Sequence, residues 1–363
     1  MKIVFVASEM VPFAKTGGLG EVAGTLPREI SKFGHEVYAF VPRYRRVDPQ
    51  KWGLKTEIDS LTVPLGSEKE TGRILSYSLD GSIRVFFVDH PQFFSRDELY
   101  GTPMGDYPDN DRRFIFFQRA ALETLKILKI KPDIIHCHDW QTGLIPVYLK
   151  TLYAGDAAFK KTKTVFSIHT LGYQGNFPPD SLPTTGLDWE QFSMERLEFY
   201  GKVSFMKGGI LDADILTVAS EHYAKEILTK EFGCGMENVL IQRKDRIRGI
   251  LNGLDYKEWN PETDPDIFER FSAKAPEKKL KNKIALQQEN DLDPNPKIPL
   301  IGMVSRLDES KGIEILLPAL SQMFQLGAQF VLLGSGDEKY HRIFRDMAKK
   351  NSDFMKVHIL FDP

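Results

Sequence analysis

The sequence predicts an α/β protein built from two doubly wound, Rossmann-like domains, the second of them incomplete. Three observations carry that prediction. Short β-branched apolar runs alternate with stretches of helical period, the pattern of parallel strands joined by crossover helices. A glycine-rich stretch, Lys15-Thr16-Gly17-Gly18-Leu19-Gly20, falls between the first such run and the first such helix. A polar segment from Asp255 to Pro299, rich in Lys, Glu and Pro, separates two series of the alternation, and 363 residues exceed what one core usually holds.

Taken in order, Ile3 to Ala7 is short, apolar and without helical period, which predicts a buried parallel strand. Ser8 to Ala14 is a loop. After Gly20, residues Glu21, Val22, Ala23, Leu26, Ile30 and Phe33 recur at helical spacing, with Gly34 as C-cap. Val37 to Val41 is the second strand, followed by a basic loop with Arg43, Arg45 and Arg46, expected as a solvated face. Leu54 to Val88 alternates around a turn at Leu79-Asp80-Gly81-Ser82, an antiparallel excursion decorating the main sheet. A helix over 109–128 starts at an Asp109 or Asn110 N-cap and aligns Phe114, Phe117, Ala121 and Leu125 on one face. Strands at Ile134 to Cys137, Thr164 to Ile168 and Ile215 to Val218 continue the series, with a helix over 142–152. The polar segment holds one amphipathic helix near Lys278 to Gln288. Beyond it come strands at Leu300 to Val304, Phe330 to Leu333 and Val357 to Phe361, with helices over 313–326 and 338–350. The domains expected are therefore 1–255, a linker over 256–298, and a partial second domain over 299–363.

With 48 Lys and Arg against 50 Asp and Glu, the net charge of −2 gives no global field for nucleic acid or an anionic membrane. No apolar run approaches the ~20 residues of a spanning helix, and no signal peptide is visible. Cys137 and Cys234 offer at most one disulfide and no Cys-x-x-Cys metal spacing, so reduced thiols in the cytoplasm are expected.

A glycine-rich turn opening a helix presents free N–H groups and the positive end of a dipole, and Lys15 adds a full charge beside it. The lysine precedes the glycines, unlike a P-loop, and the three-glycine dinucleotide fingerprint is absent. His136-Cys137-His138-Asp139-Trp140 ends a strand. Neighbouring strand positions alternate faces and no third ligand is evident, so no metal is expected; Asp139 reads as a helix N-cap and Trp140 as a core residue. His169 follows the next strand and precedes the turn Thr170-Leu171-Gly172-Tyr173-Gln174-Gly175. In the second domain, Arg306 and Lys311 follow the first strand and could clamp a diphosphate, with Gly334-Ser335-Gly336-Asp337 as a similar turn.

Lys15-Thr16-Gly17-Gly18-Leu19, behind Ser8-Glu9 and Pro12-Phe13-Ala14, closely resembles the N-terminal signature of bacterial glycogen synthases and plant starch synthases. His136 to Trp140, His169 to Gly175, Ile250-Leu251-Asn252-Gly253-Leu254-Asp255 and Val304 to Asp308 resemble further segments of that family. The resemblance implies a GT-B architecture, two Rossmann-like domains facing a cleft. It also implies retaining transfer of glucose from ADP-glucose to the non-reducing end of an α-1,4-glucan, without cofactor or metal. By the same resemblance Lys15, Arg306 and Lys311 contact the diphosphate, with Gly17 and Gly18 beside Lys15. Asp139 and His169 lie at the donor sugar, and Glu9, Tyr100 and Asn252 line the donor pocket. Gly334 lies on the nucleotide side. Phe205-Met206-Lys207-Gly208-Gly209-Ile210 matches another family stretch and reads as structural; His222 receives no role.

The chain departs from the family at Thr170-Leu171-Gly172, where Asn-Leu-Ala is common, and at Glu21, which replaces a usual aspartate. It also lacks the Glu-Pro-Cys-Gly-Leu segment that follows in the family, which predicts a C-terminally truncated synthase with Phe361 on an unpaired edge. A non-catalytic remnant that binds sugar nucleotide or glucan is the alternative expectation. A nicotinamide-dependent dehydrogenase is disfavoured by the missing fingerprint. The partners expected are ADP-glucose and glycogen, without nucleic acid or membrane.

Overall fold

A computed structural model describes residues 1–102 and 104–360. The chain divides into two compact units, the first being Met1–Gly253 and the second starting at Leu254.

The first unit is organised by one nine-stranded sheet. In chain order the strands are β1 (Lys2–Val6), β2 (Glu36–Pro42), β3 (Lys55–Leu65), β4 (Glu68–Leu79) and β5 (Ile83–Asp89). A two-residue hairpin, β6 (Gly101–Thr102) and β7 (Gly105–Asp106), precedes β8 (Ile134–His138) and β9 (Lys163–Ile168). A separate small sheet holds β10 (Asn176–Phe177), β11 (Glu198–Phe199) and β12 (Lys202–Ser204), and β13 (Ile215–Val218) and β14 (Ile247–Gly249) complete the main one. Its order is β14-β13-β9-β8-β1-β2-β5-β4-β3, parallel from β14 to β5.

β1 is central and covered on both faces, which is why its sequence is a continuous apolar run rather than an alternation. Ile3 and Phe5 join one core cluster with Leu19 and Ala23 of the helix Gly18–Ser31. Val4 and Val6 join the other with Phe114, Phe117, Ala121 and Leu125 of the helix Asn110–Ile127, the face expected from the sequence. The strand order reverses beside β1: β2 and β5 lie to one side, β8, β9, β13 and β14 to the other. In such sheets the crevice beyond the carboxyl ends at this reversal is the natural ligand site.

Several expectations change. The segment over 54–88 is no decoration: β5 lies parallel to β2, and Val63 and Ile74 are fully buried in the main core, although β3 and β4 are antiparallel as expected. The loop after β2 is not wholly solvated either. Arg43 and Arg73 each pair with the buried Asp89, at 2.7 and 2.6 Å, because a buried carboxylate needs compensating charge. The helix expected over 142–152 begins as a 3-10 turn at Trp140–Thr142 and continues as Leu144–Lys150.

The second unit carries the parallel strands β15 (Leu300–Val304), β16 (Gln329–Leu333) and β17 (Met355–His358), in that order. Helices Ile313–Gln325 and Glu338–Lys350 contribute Leu320, Phe324, Tyr340 and Phe344 to its core. The helix Lys279–Glu289 lies within the stretch read as a linker, yet Gln287 donates to Gln329 of β16 at 2.7 Å, and Asn290 bonds His358 of β17 at 2.6 Å. This stretch is thus partly built into the second unit. The last strand starts earlier than expected and ends at His358; Phe361 lies outside the described residues. Among the described residues no helix is long and apolar enough to cross a membrane.

The helix Gly18–Ser31 is seated directly on the loop that follows β1. The Val11 N–H donates to the Gly20 carbonyl at 3.0 Å, and a Cβ on Gly24 would lie 2.3 Å from Val11 Cγ2 and 2.6 Å from its carbonyl oxygen. Gly24→Ala should therefore force the helix off the loop and lower stability by ~1–3 kcal/mol, read from the denaturant midpoint of the first unit's unfolding.

Candidate active site at the carboxyl end of the main sheet

Glu9, just past β1, is nearly buried and organises the glycine-rich stretch. Its Oε2 accepts the backbone N–H groups of Thr16 (2.6 Å) and Gly17 (3.1 Å), and its Oε1 accepts the Thr16 hydroxyl (2.7 Å) and the Tyr100 hydroxyl (2.7 Å). Burial and the neighbouring carboxylate hold the Tyr100 phenol well above its ordinary pKa, so it remains a donor. The Ser8 hydroxyl, 2.7 Å away, then donates to Tyr100.

The loop so held presents Lys15, Gly17 and Gly18. The Lys15 side chain is partly exposed and its ammonium is ion-paired with Glu21, the position where the family usually has aspartate. Added Cβ atoms on Gly17 and Gly18 would meet nothing within 4 Å, so a ligand can reach the backbone there. The helix starts at Gly18 rather than after Gly20, which puts both positions at its N-terminus. Gly20 faces inward: its Cβ would lie 3.1 Å from Lys15 Cβ and 3.3 Å from Glu9 Oε2.

Asp139 follows β8, and its expected capping role is corrected. No backbone N–H of the following turn bonds its side chain; instead Oδ1 accepts the N–H of His169, just past β9, at 2.7 Å and that of Thr170 at 3.4 Å. Its backbone, φ 54° and ψ −176°, occupies a region almost confined to glycine, a strain of ~1–3 kcal/mol that the surroundings must impose. Burial first, offset by those N–H groups and reinforced by Glu9, raises its carboxyl pKa to about 7. Trp140 packs in the core as expected, and its indole blocks any Cβ at Gly175, where φ is +57°.

The histidines form a stack that the alternation argument did not foresee, because residues two apart share a strand face. The rings of His136 and His138 lie 4.3 Å apart and those of His138 and His169 5.3 Å, with His138 Nδ1 3.0 Å from His169 Nε2. Among the described residues no group of three or more His, Cys, Asp or Glu is arranged to hold a metal ion. His138 Nε2 is buried without a partner, and an unpaired acceptor is less costly there than an orphaned N–H. This assigns the shared proton to His138 Nδ1, donating to His169 Nε2, and leaves His169 with its own proton on Nδ1.

The remaining expected residues fall elsewhere. Asn252 is exposed beyond β14, at the end of the first unit. Arg306 and Lys311 lie past β15 in the second unit; Arg306 is half exposed, 3.8 Å from Asp308, and Lys311 ends the 3-10 turn Glu309–Lys311. A Cβ on Gly334 would lie 1.9 Å from the Ser305 carbonyl oxygen, so that glycine is needed for packing the turns past β15 and β16. Lys207 is structural, as expected, donating to the carbonyls of Met194 and Glu198.

Sequence reasoning missed Arg113. It is fully buried, donates to the carbonyls of Phe93 (2.6 Å) and Leu99 (2.9 Å), and thereby fixes the segment that carries Tyr100. Its signal was present: four residues before Phe117, it falls on the helix face already marked as buried.

Burial lowers the pKa of His136 to about 3 and of His169 to about 4, and holds His138 well below its ordinary value. In the unfolded chain these groups bind protons below about pH 6.5. Their contribution to stability is therefore intact above that pH and lost as pH falls toward 4; Asp139, with its raised pKa, contributes a weaker opposite slope between its unfolded value and about 7. Nitrogen-15 NMR of the imidazoles should show all three rings neutral at pH 6, with acid unfolding following below.

The starch synthase catalytic domain model matches residues 2–242. The chain is 46% identical over 363 residues to glycogen synthase of Geotalea daltonii, which spans all of this chain and 75% of the relative, and 45% identical to glycogen synthase of Koribacter versatilis, over all of this chain and 74% of the relative. The solved catalytic domain of starch synthase IV from Arabidopsis thaliana, bound to ADP and acarbose, superposes with a TM-score of 0.90 at 33% identity, covering 99% of this chain and 74% of that one. The fold is thus the α/β, GT-B type of those enzymes, and the chain belongs to the glycogen and starch synthase family of hexosyltransferases.

Proposed function

We propose that this chain transfers glucose from ADP-glucose to the non-reducing end of an α-1,4-glucan, with retention of configuration. The observation that carries the reading is the Glu9 clamp. It holds Lys15 and an unobstructed Gly17–Gly18 backbone at the sheet's switch point, the same end that carries Asp139 and His169. The starch synthase it resembles was solved with ADP and acarbose, a nucleotide and a glucan-like ligand.

Breaking a sugar–diphosphate bond develops negative charge on the leaving oxygen and positive charge at the sugar carbon, so fixed cations and N–H groups belong beside the former. Lys15 meets the diphosphate with its ammonium, exchanging Glu21 for phosphate, while the Gly17 and Gly18 backbone approaches closely. Arg306 and Lys311, past β15 of the second unit, offer a planar donor fork and an ammonium of the kind that suits a diphosphate. Gly334 serves the nucleotide side and Asn252 the donor pocket. His169, neutral at working pH, offers Nδ1–H to a sugar hydroxyl, and Asp139 fixes the His169 backbone while facing the developing charge. Neither acts as a covalent nucleophile. The free, separately placed Cys137 and Cys234 accord with a cytoplasmic setting.

Transfer of labelled glucose from ADP-glucose to glycogen tests the reading. Lys15→Ala should lower kcat/KM by ~10²–10³, as for loss of one charge-stabilising group in a transfer reaction. An unaltered rate in that variant, or hydrolysis without transfer in the native chain, overturns the assignment. Tyr100→Phe removes one of four donors to Glu9 and should cost less, a factor of about ten, as one hydrogen bond to a charged group does.

A further inference from the structure

We propose that the surface running from His169 to the tip of the β11–β12 hairpin is a track for the acceptor glucan, on which Tyr173 and Tyr200 stack against glucosyl rings. The inference rests on the transferase reading above and adds to it the binding surface of the second substrate.

The first observation is Tyr200 itself. With Gly201 it forms the hairpin turn at φ +49° and +75°, both left-handed, where Asn-Gly is the favoured pair. A bulky aromatic ring at such a position is a genuine outlier. Burial does not account for it, because Tyr200 is 80% exposed. The ring is nonetheless held from below. Phe199 meets it edge-on, with centroids 4.7 Å apart and planes at 80°, and the Cβ position of Gly235 lies 3.4 Å from its Cε2. Gly235 has φ +80° and Cys234 φ +52°, so two consecutive left-handed residues shape the seat of an exposed ring.

The second observation is that this seat is tied to the site. Gln174 donates from Nε2 to the Cys234 carbonyl at 2.9 Å. Its neighbour Tyr173, 56% exposed, donates its N–H to the carbonyl of Thr170 at 3.2 Å, and Thr170 adjoins His169. The segment that follows His169 thus carries Tyr173 and, through Gln174, is hydrogen-bonded to the support of Tyr200. Two exposed rings, on segments tied to the one that follows His169, offer apolar faces to a chain of sugar rings. Each pyranose has an apolar C–H face that packs flat on an aromatic face, and the contact needs no charge.

The test uses the whole 363-residue chain and maltoheptaose as the probe. Tyr200→Asn removes the ring but keeps a residue that tolerates the left-handed turn, so the hairpin stays formed; Tyr200→Phe keeps the ring. Calorimetric titration should show maltoheptaose affinity about three- to tenfold weaker in Tyr200→Asn and unchanged in Tyr200→Phe, the size of one aromatic contact. In the transfer assay the KM for maltoheptaose should rise by the same factor while the KM for ADP-glucose stays put. Tyr200-dependent binding in a chain that does not transfer glucose supports the track and sinks the transferase reading. Transfer with maltoheptaose affinity unchanged in Tyr200→Asn sinks the track and leaves the transferase reading standing. Absence of both transfer and maltoheptaose binding in the native chain overturns the two together.

Discussion

The carboxylate of Glu9 is the constraint on which the first unit's functional end depends. A buried carboxylate must find donors, and Glu9 draws them from two backbone amides, a threonine hydroxyl and a tyrosine hydroxyl. Satisfying it therefore shapes the glycine-rich loop, the start of the helix at Gly18 and the segment around Tyr100. Those parts are far apart in sequence. Arg113 extends the same logic one layer deeper: a buried guanidinium takes the carbonyls of residues 93 and 99 and the Asn110 side chain, which sets where Tyr100 can stand. Asn110 adds a bond to the Tyr100 carbonyl at 2.8 Å.

A second device holds the other half of that sheet end. Asp139 sits in a conformation that costs energy and receives the His169 amide in return, so the ends of β8 and β9 are coupled through one side chain. The histidine stack backs that coupling, with His136 bonded to Ser167 at 2.7 Å and His138 to His169 at 3.0 Å. Rings packed this way cannot swing independently, and strain persists only where the surroundings over-determine it. The arrangement is pre-organised by packing rather than by charge.

Much of the fold was legible because each strand and helix is locally consistent. Ile215 to Val218, Leu300 to Val304 and the helix over 338–350 were read with the boundaries the structure has, since each is bracketed by turn or capping residues. What was misread depended on distant partners. Arg43 looked like part of a solvated basic loop because Asp89, which pairs with it, is 46 residues away. Asp139 looked like an N-cap because its true partner, the His169 amide, is 30 residues away. Local spacing cannot see either. The stacking of His136 on His138 is different: strand periodicity contained it, and attention to nearest neighbours alone passed it over.

The two halves of the sheet end divide the electrostatic work. Around the proposed sugar position burial pushes His136 and His169 downward and Asp139 upward, each toward neutrality, with the Glu9 carboxylate close enough to act on His169 and Asp139. At the glycine-rich loop, by contrast, Lys15 is partly exposed and ion-paired with Glu21. A charged leaving group and an uncharged sugar call for different surroundings, because a cation beside the sugar would oppose the positive charge that develops there, whereas a neutral imidazole N–H does not. Keeping the histidines buried therefore has a chemical consequence as well as a structural one. It keeps positive charge away from the position proposed for the sugar and leaves it at Lys15, where a diphosphate leaving group would need it.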